Sequence, residues 1–90
     1  MATLTIYGQP KTCMPCKMTE ENLRIIKGKD IFDLTFEEVT DIEVIKEKKY
    51  TSIPVIELVT EGRTSILNDH SVLLDEDELQ EWIEERLGEH

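Results

Sequence analysis

The pattern of apolar and polar residues changes its period several times along the chain, which is typical of mixed α and β structure. Short runs rich in branched and aromatic residues predict four strands. These are residues 3–8, Leu34–Val39, residues 54–60 and Arg63–Leu67. In the second strand we expect Leu34 and Phe36 to lie on the buried face, because alternate side chains of a strand share a face.

Apolar residues at spacings of three and four predict the first of three helices, which begins near Met14 or Pro15 and ends at Gly28. A proline is tolerated there because its missing N–H has no partner in the first turn of a helix. The predicted buried face of this helix consists of Cys16, Thr19, Leu23 and Ile26.

Two further helices are predicted from their start signals. Thr40-Asp41-Ile42-Glu43 matches a capping box, so a short helix is expected from there to about Lys49. Residues 68–74 are predicted to be irregular. Asp75 or Asp77 then caps a last helix that ends before Gly88. The apolar side of that helix is formed by Leu79, Trp82, Ile83 and Leu87.

The predicted order of elements is β-α-β-α-β-β-α, in a chain of 90 residues that is long enough for one domain. A strand, a helix and a second strand in succession imply a right-handed crossover and a parallel pair. The Glu61-Gly62 turn implies that the last two strands are antiparallel. We therefore expect an α/β fold with a four-stranded mixed sheet and three helices distributed over both faces.

Composition narrows the classes of partner. The net charge is −10, which argues against a nucleic-acid ligand because phosphate binding needs clustered Lys and Arg. Residues 1–35 carry five basic and four acidic side chains, whereas residues 36–90 carry five basic and 16 acidic ones. Neither a signal peptide nor a run of roughly 20 apolar residues is present. A cytoplasmic monomer without a membrane partner is the expectation.

Cys13 and Cys16, the only two cysteines, form the pattern Cys13-Met14-Pro15-Cys16 between the first strand and the first helix. In the cytoplasm such a pair is typical of redox cycling or of metal binding. Cys13 meets unpaired N–H groups and the positive end of the helix dipole, which favour a thiolate. We predict that Cys13 attacks a substrate disulfide and that Cys16, one turn further on, resolves the mixed disulfide.

Two alternatives to redox chemistry use the same chain. A zinc site would draw on Cys13, Cys16, His70 and His90, or on both cysteines of each chain in a dimer. A bridging iron–sulfur cluster would use the same cysteines. One pair of cysteines alone falls short of the four ligands that zinc takes. A binding module without catalysis is the other alternative, with the acidic last helix as the surface that would dock a basic partner.

The chain resembles the thioredoxin superfamily, and its small glutaredoxin branch in particular. The resemblance rests on Tyr7 at the end of the first strand, on Cys13-Met14-Pro15-Cys16, on Tyr50-Thr51-Ser52-Ile53-Pro54-Val55, and on the order of elements. It implies a thiol–disulfide oxidoreductase in which Pro54 is cis and lies against the disulfide. It also implies that Ile53 offers its backbone to an extended substrate segment. Substrate contacts are expected at Tyr7, Met14, Pro15, Ile53 and Pro54.

The chain departs from glutaredoxins in two places that concern the source of electrons. Pro15 between the cysteines resembles thioredoxin, and Leu67-Asn68-Asp69-His70-Ser71 lacks the glycine pair that glutaredoxins use in holding glutathione. The chain also resembles the small redoxins that serve ribonucleotide reductase, and divergent glutaredoxin-like proteins encoded by phages. No bound cofactor is expected. Electrons are expected from thioredoxin reductase and NADPH, or from glutathione, for the reduction of protein disulfides.

Overall fold

The computed structural model of the chain describes residues 2–88, which form a four-stranded sheet with the strand order β2-β1-β3-β4. The strands are β1 (Ala2–Tyr7), β2 (Leu34–Val39), β3 (Val55–Thr60) and β4 (Arg63–Leu67). β1 is parallel to β2, while β3 is antiparallel to both β1 and β4. The mixed four-stranded sheet is thereby confirmed. Pro54 lies just before β3 instead of within it, and Gly8 lies just after β1.

The helices of the described residues are α1 (Met14–Gly28), α2 (Ile42–Glu47), α3 (His70–Leu73) and α4 (Glu76–Leu87). The prediction of three helices was wrong by one, because the stretch predicted to be irregular contains α3. The Asp69 carboxylate accepts a hydrogen bond from the N–H of Ser71 at 2.9 Å, and Leu73 is fully buried. A cap and one buried side chain thus hold a single turn that is too short to show a period.

The ends of α2 also differ from the prediction. Its cap is Asp41, whose carboxylate accepts a hydrogen bond from the N–H of Glu43 at 2.9 Å, whereas Thr40 was expected to fill that place. The helix ends at Glu47 instead of near Lys49, because Lys49 has a φ of 64° and turns the chain out of the helix. Of the two candidate caps of α4, the structure selects Asp75, which accepts hydrogen bonds from the N–H groups of Asp77 and Glu78.

The main core lies between the sheet and the helices α1, α3 and α4. The four residues predicted for the inner side of α1 are all buried, and Leu34 and Phe36 pack against this core as expected. From α4, Leu79 and Ile83 are fully buried, while Trp82 and Leu87 pack at the margin. Each fully buried aliphatic side chain stabilises the fold by roughly 1.5–3 kcal/mol, so this core carries most of the stability.

A smaller core lies on the opposite face of the sheet, beneath α2. It consists of Tyr7, Ile45 and Val55, with Val39, Tyr50 and Ile53 packed around them. Helices therefore flank both faces of the sheet, as predicted. Because only α2 covers this second face, Val59 and Ile66 remain 40% and 55% exposed on it. Within residues 2–88, no helix is long and apolar enough to cross a membrane.

Candidate active site

Cys13 lies in the connection between β1 and α1, where it is the N-terminal cap of the helix. The N–H groups of Thr12 and Cys13 donate to the carbonyl of Gln9, at 3.1 and 2.8 Å, and this turn brings the chain to the start of α1. Cys13 has an extended backbone, with φ −124° and ψ 111°, as a capping residue requires. Its sulfur accepts a hydrogen bond from the N–H of Cys16 at 3.3 Å. The thiol of Cys13 thus takes the place of a capping oxygen.

Cys16 lies one turn further on and is fully buried, whereas Cys13 is partly exposed. Both are free thiols. Burial, and to a smaller extent the hydrogen bond with Cys13, raise the pKa of the Cys16 thiol to about 12. Cys16 is therefore protonated at neutral pH. The two thiols differ in access, so a molecule arriving from solvent meets the sulfur of Cys13 first.

Gly8 and Pro54 enclose the buried thiol. A Cβ atom built on Gly8 would lie 2.9 Å from Sγ of Cys16 and 3.7 Å from Cβ of Pro54. Pro54 is fully buried, and the peptide bond between Ile53 and Pro54 is cis, as the family resemblance implied. The structure thus brings Cys16 and Pro54 together from segments that are far apart in the sequence. Sequence reasoning missed Gly8, although a glycine between a strand and a cysteine pair is a signal of close approach.

The remaining residues predicted to contact substrate fall into two groups. Met14 is 66% exposed and Pro15 is partly exposed between the cysteines, and Ile53 is partly exposed next to Pro54. Tyr7 is instead buried on the face of the sheet covered by α2, and its hydroxyl group donates to Glu57 at 3.4 Å. Its ring meets that of Tyr50 edge-on at 5.4 Å between centroids. A direct contact between Tyr7 and substrate remains a prediction.

A surface groove lies beside Cys13, between the start of α1 and the end of β2. It is lined by Lys11, Cys13, Met14, Lys17, Glu20 and Glu38, among others. Lys11 and Lys17 are exposed, as surface lysines commonly are. Two positive and two negative side chains thus border the groove, so its own charge balance does not select a charged ligand.

The histidines of the metal alternative are placed as follows. His70 begins α3, and its Nε2 atom is shielded from solvent without a hydrogen-bond partner among the residues described. His90 lies outside the described residues. Across residues 2–88, no group of three or more His, Cys, Asp and Glu side chains is arranged to hold a metal ion.

The sheet order, the helices on both faces and the cis proline beside the cysteine pair define a thioredoxin-like α/β fold. Solved structures agree with this assignment. A thioredoxin from Trypanosoma brucei brucei superimposes with a TM-score of 0.74 at 14% identity, covering 99% of this chain and 77% of its own. A Fasciola hepatica thioredoxin gives 0.71 at 17% identity, covering 93% of this chain and 79% of its own.

A third solved structure, described as a malarial protein, has nearly the same length. Its TM-score is 0.78 at 13% identity, and the match covers 97% of this chain and 98% of that one. No known protein family and no curated protein matches the sequence. At identities this low, the structural match establishes only the fold, and the activity has to be argued from the site.

Proposed function

We propose that this protein is a thiol–disulfide oxidoreductase that reduces disulfides of other proteins through Cys13 and Cys16. The observation that carries the proposal is the pairing of an accessible thiol at the N-terminus of α1 with a buried thiol one turn later. The contact of the second thiol with Gly8, close to Pro54, supports it. The thioredoxin-like fold is the setting in which these contacts occur.

In the first step of the proposed reaction, the thiolate of Cys13 attacks one sulfur of the substrate disulfide. A bond forms between Cys13 and that sulfur, the substrate S–S bond breaks, and the other substrate sulfur leaves as a thiolate that takes up a proton. At the start of α1, the N–H of Cys16 donates a hydrogen bond to the sulfur that attacks. Access decides which sulfur attacks, because Cys16 is fully buried.

In the second step, Cys16 loses its proton and attacks the sulfur of Cys13. The mixed disulfide breaks, the second substrate thiol is released, and the protein keeps the Cys13–Cys16 disulfide. Two electrons have then passed to the substrate. Since burial holds the pKa of Cys16 near 12, deprotonation of Cys16 is expected to limit this step at neutral pH. The high pKa also protects the free thiol from side reactions before a substrate binds.

Two electrons must return to the protein in each cycle, and two donors are proposed. Thioredoxin reductase with NADPH is proposed because Pro15 between the cysteines resembles thioredoxin. Glutathione is proposed because the domain has the size of a small glutaredoxin. Protein disulfides, including those of ribonucleotide reductase, are proposed as substrates because the chain resembles the small redoxins that serve that enzyme. The protein is proposed to act as a monomer in the cytoplasm, without nucleic acid or membrane.

The test is an insulin-reduction assay coupled to NADPH oxidation, run once with thioredoxin reductase and once with glutathione plus glutathione reductase. Turnover in either arm supports the proposal and identifies the electron donor. Cys13→Ser should abolish turnover, while Cys16→Ser should trap a mixed disulfide that mass spectrometry detects. If the wild-type protein is inactive in both arms, and Cys13→Ser changes nothing in a metal-free preparation, the oxidoreductase proposal fails.

A further inference from the structure

A buried carboxylate lies on the face of the sheet opposite the main core. Glu57, in the middle of β3, is only 7% exposed and pairs in register with Thr5 of β1 and Ile66 of β4. A charged group in such a place destabilises the fold unless partners compensate for the lost water. The burial of Glu57 therefore calls for hydrogen-bond partners, and Glu57 in turn can fix the positions of those partners.

Three side chains compensate Glu57. Its Oε1 atom accepts a hydrogen bond from the hydroxyl of Tyr7 at 3.4 Å, and its Oε2 atom accepts one from the hydroxyl of Tyr50. Nζ of Lys48 lies 3.0 Å from Oε2. Burial opposes ionisation of Glu57, but the hydrogen bonds from Tyr50 and Lys48 outweigh it, so the pKa of this carboxyl lies below its usual value. The group is charged at neutral pH and binds both phenols.

Tyr50 reaches Glu57 because of the way α2 ends. The left-handed backbone of Lys49, with φ 64°, turns the chain back towards the sheet, and the N–H of Tyr50 donates to the carbonyl of Ile45 at 3.4 Å. The Tyr50 ring then meets the Tyr7 ring at 66° between planes, and its hydroxyl ends on Glu57. A side-chain hydrogen bond between Tyr50 and Glu57 thus closes the loop formed by residues 50–57.

This loop contains the segment that enters Pro54. Among residues 2–88, the backbone groups of Thr51, Ser52 and Ile53 form no hydrogen bond, and the ladder of β3 with β1 begins only at Val55. The segment is fixed at its far end by Pro54, which is buried beside Cys16 and Gly8. Its near end is fixed only through Tyr50. Three residues with free backbone groups are therefore held beside the cysteine pair between Pro54 and Tyr50. The hydrogen bond from the Tyr50 hydroxyl to Glu57 fixes the near end together with the N–H of Tyr50, and Ile53 packs on the smaller core.

We propose that Tyr50 and Glu57 are positioning residues for protein substrates, because their hydrogen bond holds the backbone of residues 51–53 where an extended substrate segment pairs with it. This inference rests on the proposed oxidoreductase function. It deepens that function by separating two classes of substrate. A polypeptide disulfide uses the held backbone, whereas a small disulfide without peptide groups needs only the sulfur of Cys13.

The test compares wild-type protein with Tyr50→Phe, which keeps the ring and removes the hydroxyl. The KM for insulin should rise about tenfold with kcat unchanged, a factor that corresponds to ordering the backbone of about one more residue on binding. With 2-hydroxyethyl disulfide, kcat/KM should stay within about twofold of wild type. The NMR order parameters of the amides of residues 51–53 should fall.

Lys48→Met is the matched control, because it removes a partner of Glu57 but leaves the Tyr50 hydroxyl in place. It should lower the stability while leaving the KM for insulin unchanged. Glu57→Gln keeps an acceptor for Tyr50 and should retain a KM for insulin closer to that of wild type than to that of Tyr50→Phe.

The inference is overturned if Tyr50→Phe affects both disulfides equally, leaves the KM for insulin unchanged, or leaves the order parameters unchanged. A wild-type protein that is inactive towards both disulfides would instead count against the oxidoreductase function. In that case the order parameters would still show whether Tyr50 holds the loop.

Discussion

Replacing Gly8 with alanine tests the contact that encloses the buried thiol. The added Cβ would lie 2.9 Å from Sγ of Cys16, closer than Cβ atoms approach their neighbours in folded proteins, and a tight 3.2 Å from Cβ of the same residue. Neither neighbour can easily give way, because Cys16 is in the first turn of α1 and Pro54 is packed behind Gly8. Overpacking of this kind costs about 1–3 kcal/mol, which lowers the Tm of a domain of this size by about 4–24 °C.

The assay is thermal unfolding of the reduced protein followed by circular dichroism, with urea unfolding as a second measure of the free energy of unfolding. Gly28→Ala is the matched control, because a Cβ there has no atom within 4 Å. Gly28 is the last residue of α1, so alanine should stabilise the protein by up to about 1 kcal/mol. The same substitution thus has opposite signs at two glycines.

A double-mutant cycle identifies the clashing atom. Cys16→Ala removes the sulfur, so Gly8→Ala should cost less in that background by at least about 1 kcal/mol, within the range of coupling between contacting residues. The remaining cost reflects the 3.2 Å approach of the two Cβ atoms. Two results would refute the reasoning, an unchanged Tm in Gly8→Ala or an equal cost with and without the sulfur.

Two further predictions concern titration and capping. The pKa of Cys16 is raised from 9.0 to about 12 in the folded protein, so its stabilising contribution is complete below about pH 9 and is lost as the pH rises towards 12. Urea midpoints of the reduced protein should fall over this window, and fall less in Cys16→Ala, whereas parallel pH curves would argue against a buried thiol. Asp69→Ala removes the cap of α3 and should lower the free energy of unfolding by about 1 kcal/mol. Ser71→Ala is its comparison, because the N–H that Asp69 binds is retained, and an equal loss in both variants would mean that the hydroxyl contact matters more than the cap.

Periodicity predicted the parts of the fold that bury continuous faces. The four inner residues of α1 and the alternation of Leu34 and Phe36 in β2 follow directly from spacings of three, four and two, because tertiary packing there agrees with the local pattern. α3 has four residues and gives no period, so only its Asp69 cap could have revealed it. The choice of Asp41 over Thr40 likewise depends on where the chain leaves β2, which a capping motif alone does not specify.

The candidate site was predictable where chemistry is local and obscure where it depends on contacts across the sheet. Cys13 and Cys16 are identified by their spacing and by the proline between them. Glu57 interrupts an apolar strand, yet nothing in its neighbourhood predicts that two phenols and an ammonium group will meet it. Those partners come from β1 and from the end of α2, and only the register of the sheet brings them together.

The end of β1 connects the two faces of the sheet. Successive residues of a strand point to opposite faces, so Tyr7 faces the carboxylate of Glu57 while the next residue, Gly8, adjoins the thiol of Cys16. Pro54 and Tyr50 repeat this division on the neighbouring segment, with Pro54 beside the thiol and Tyr50 on the carboxylate. The backbone from Tyr7 to Gly8 and the backbone from Tyr50 to Pro54 thus connect the buried carboxylate with the buried thiol. A substitution at Glu57 that removes the acceptor of the Tyr50 hydroxyl should therefore alter the binding of protein substrates at the cysteine pair, without any contact between Glu57 and either sulfur.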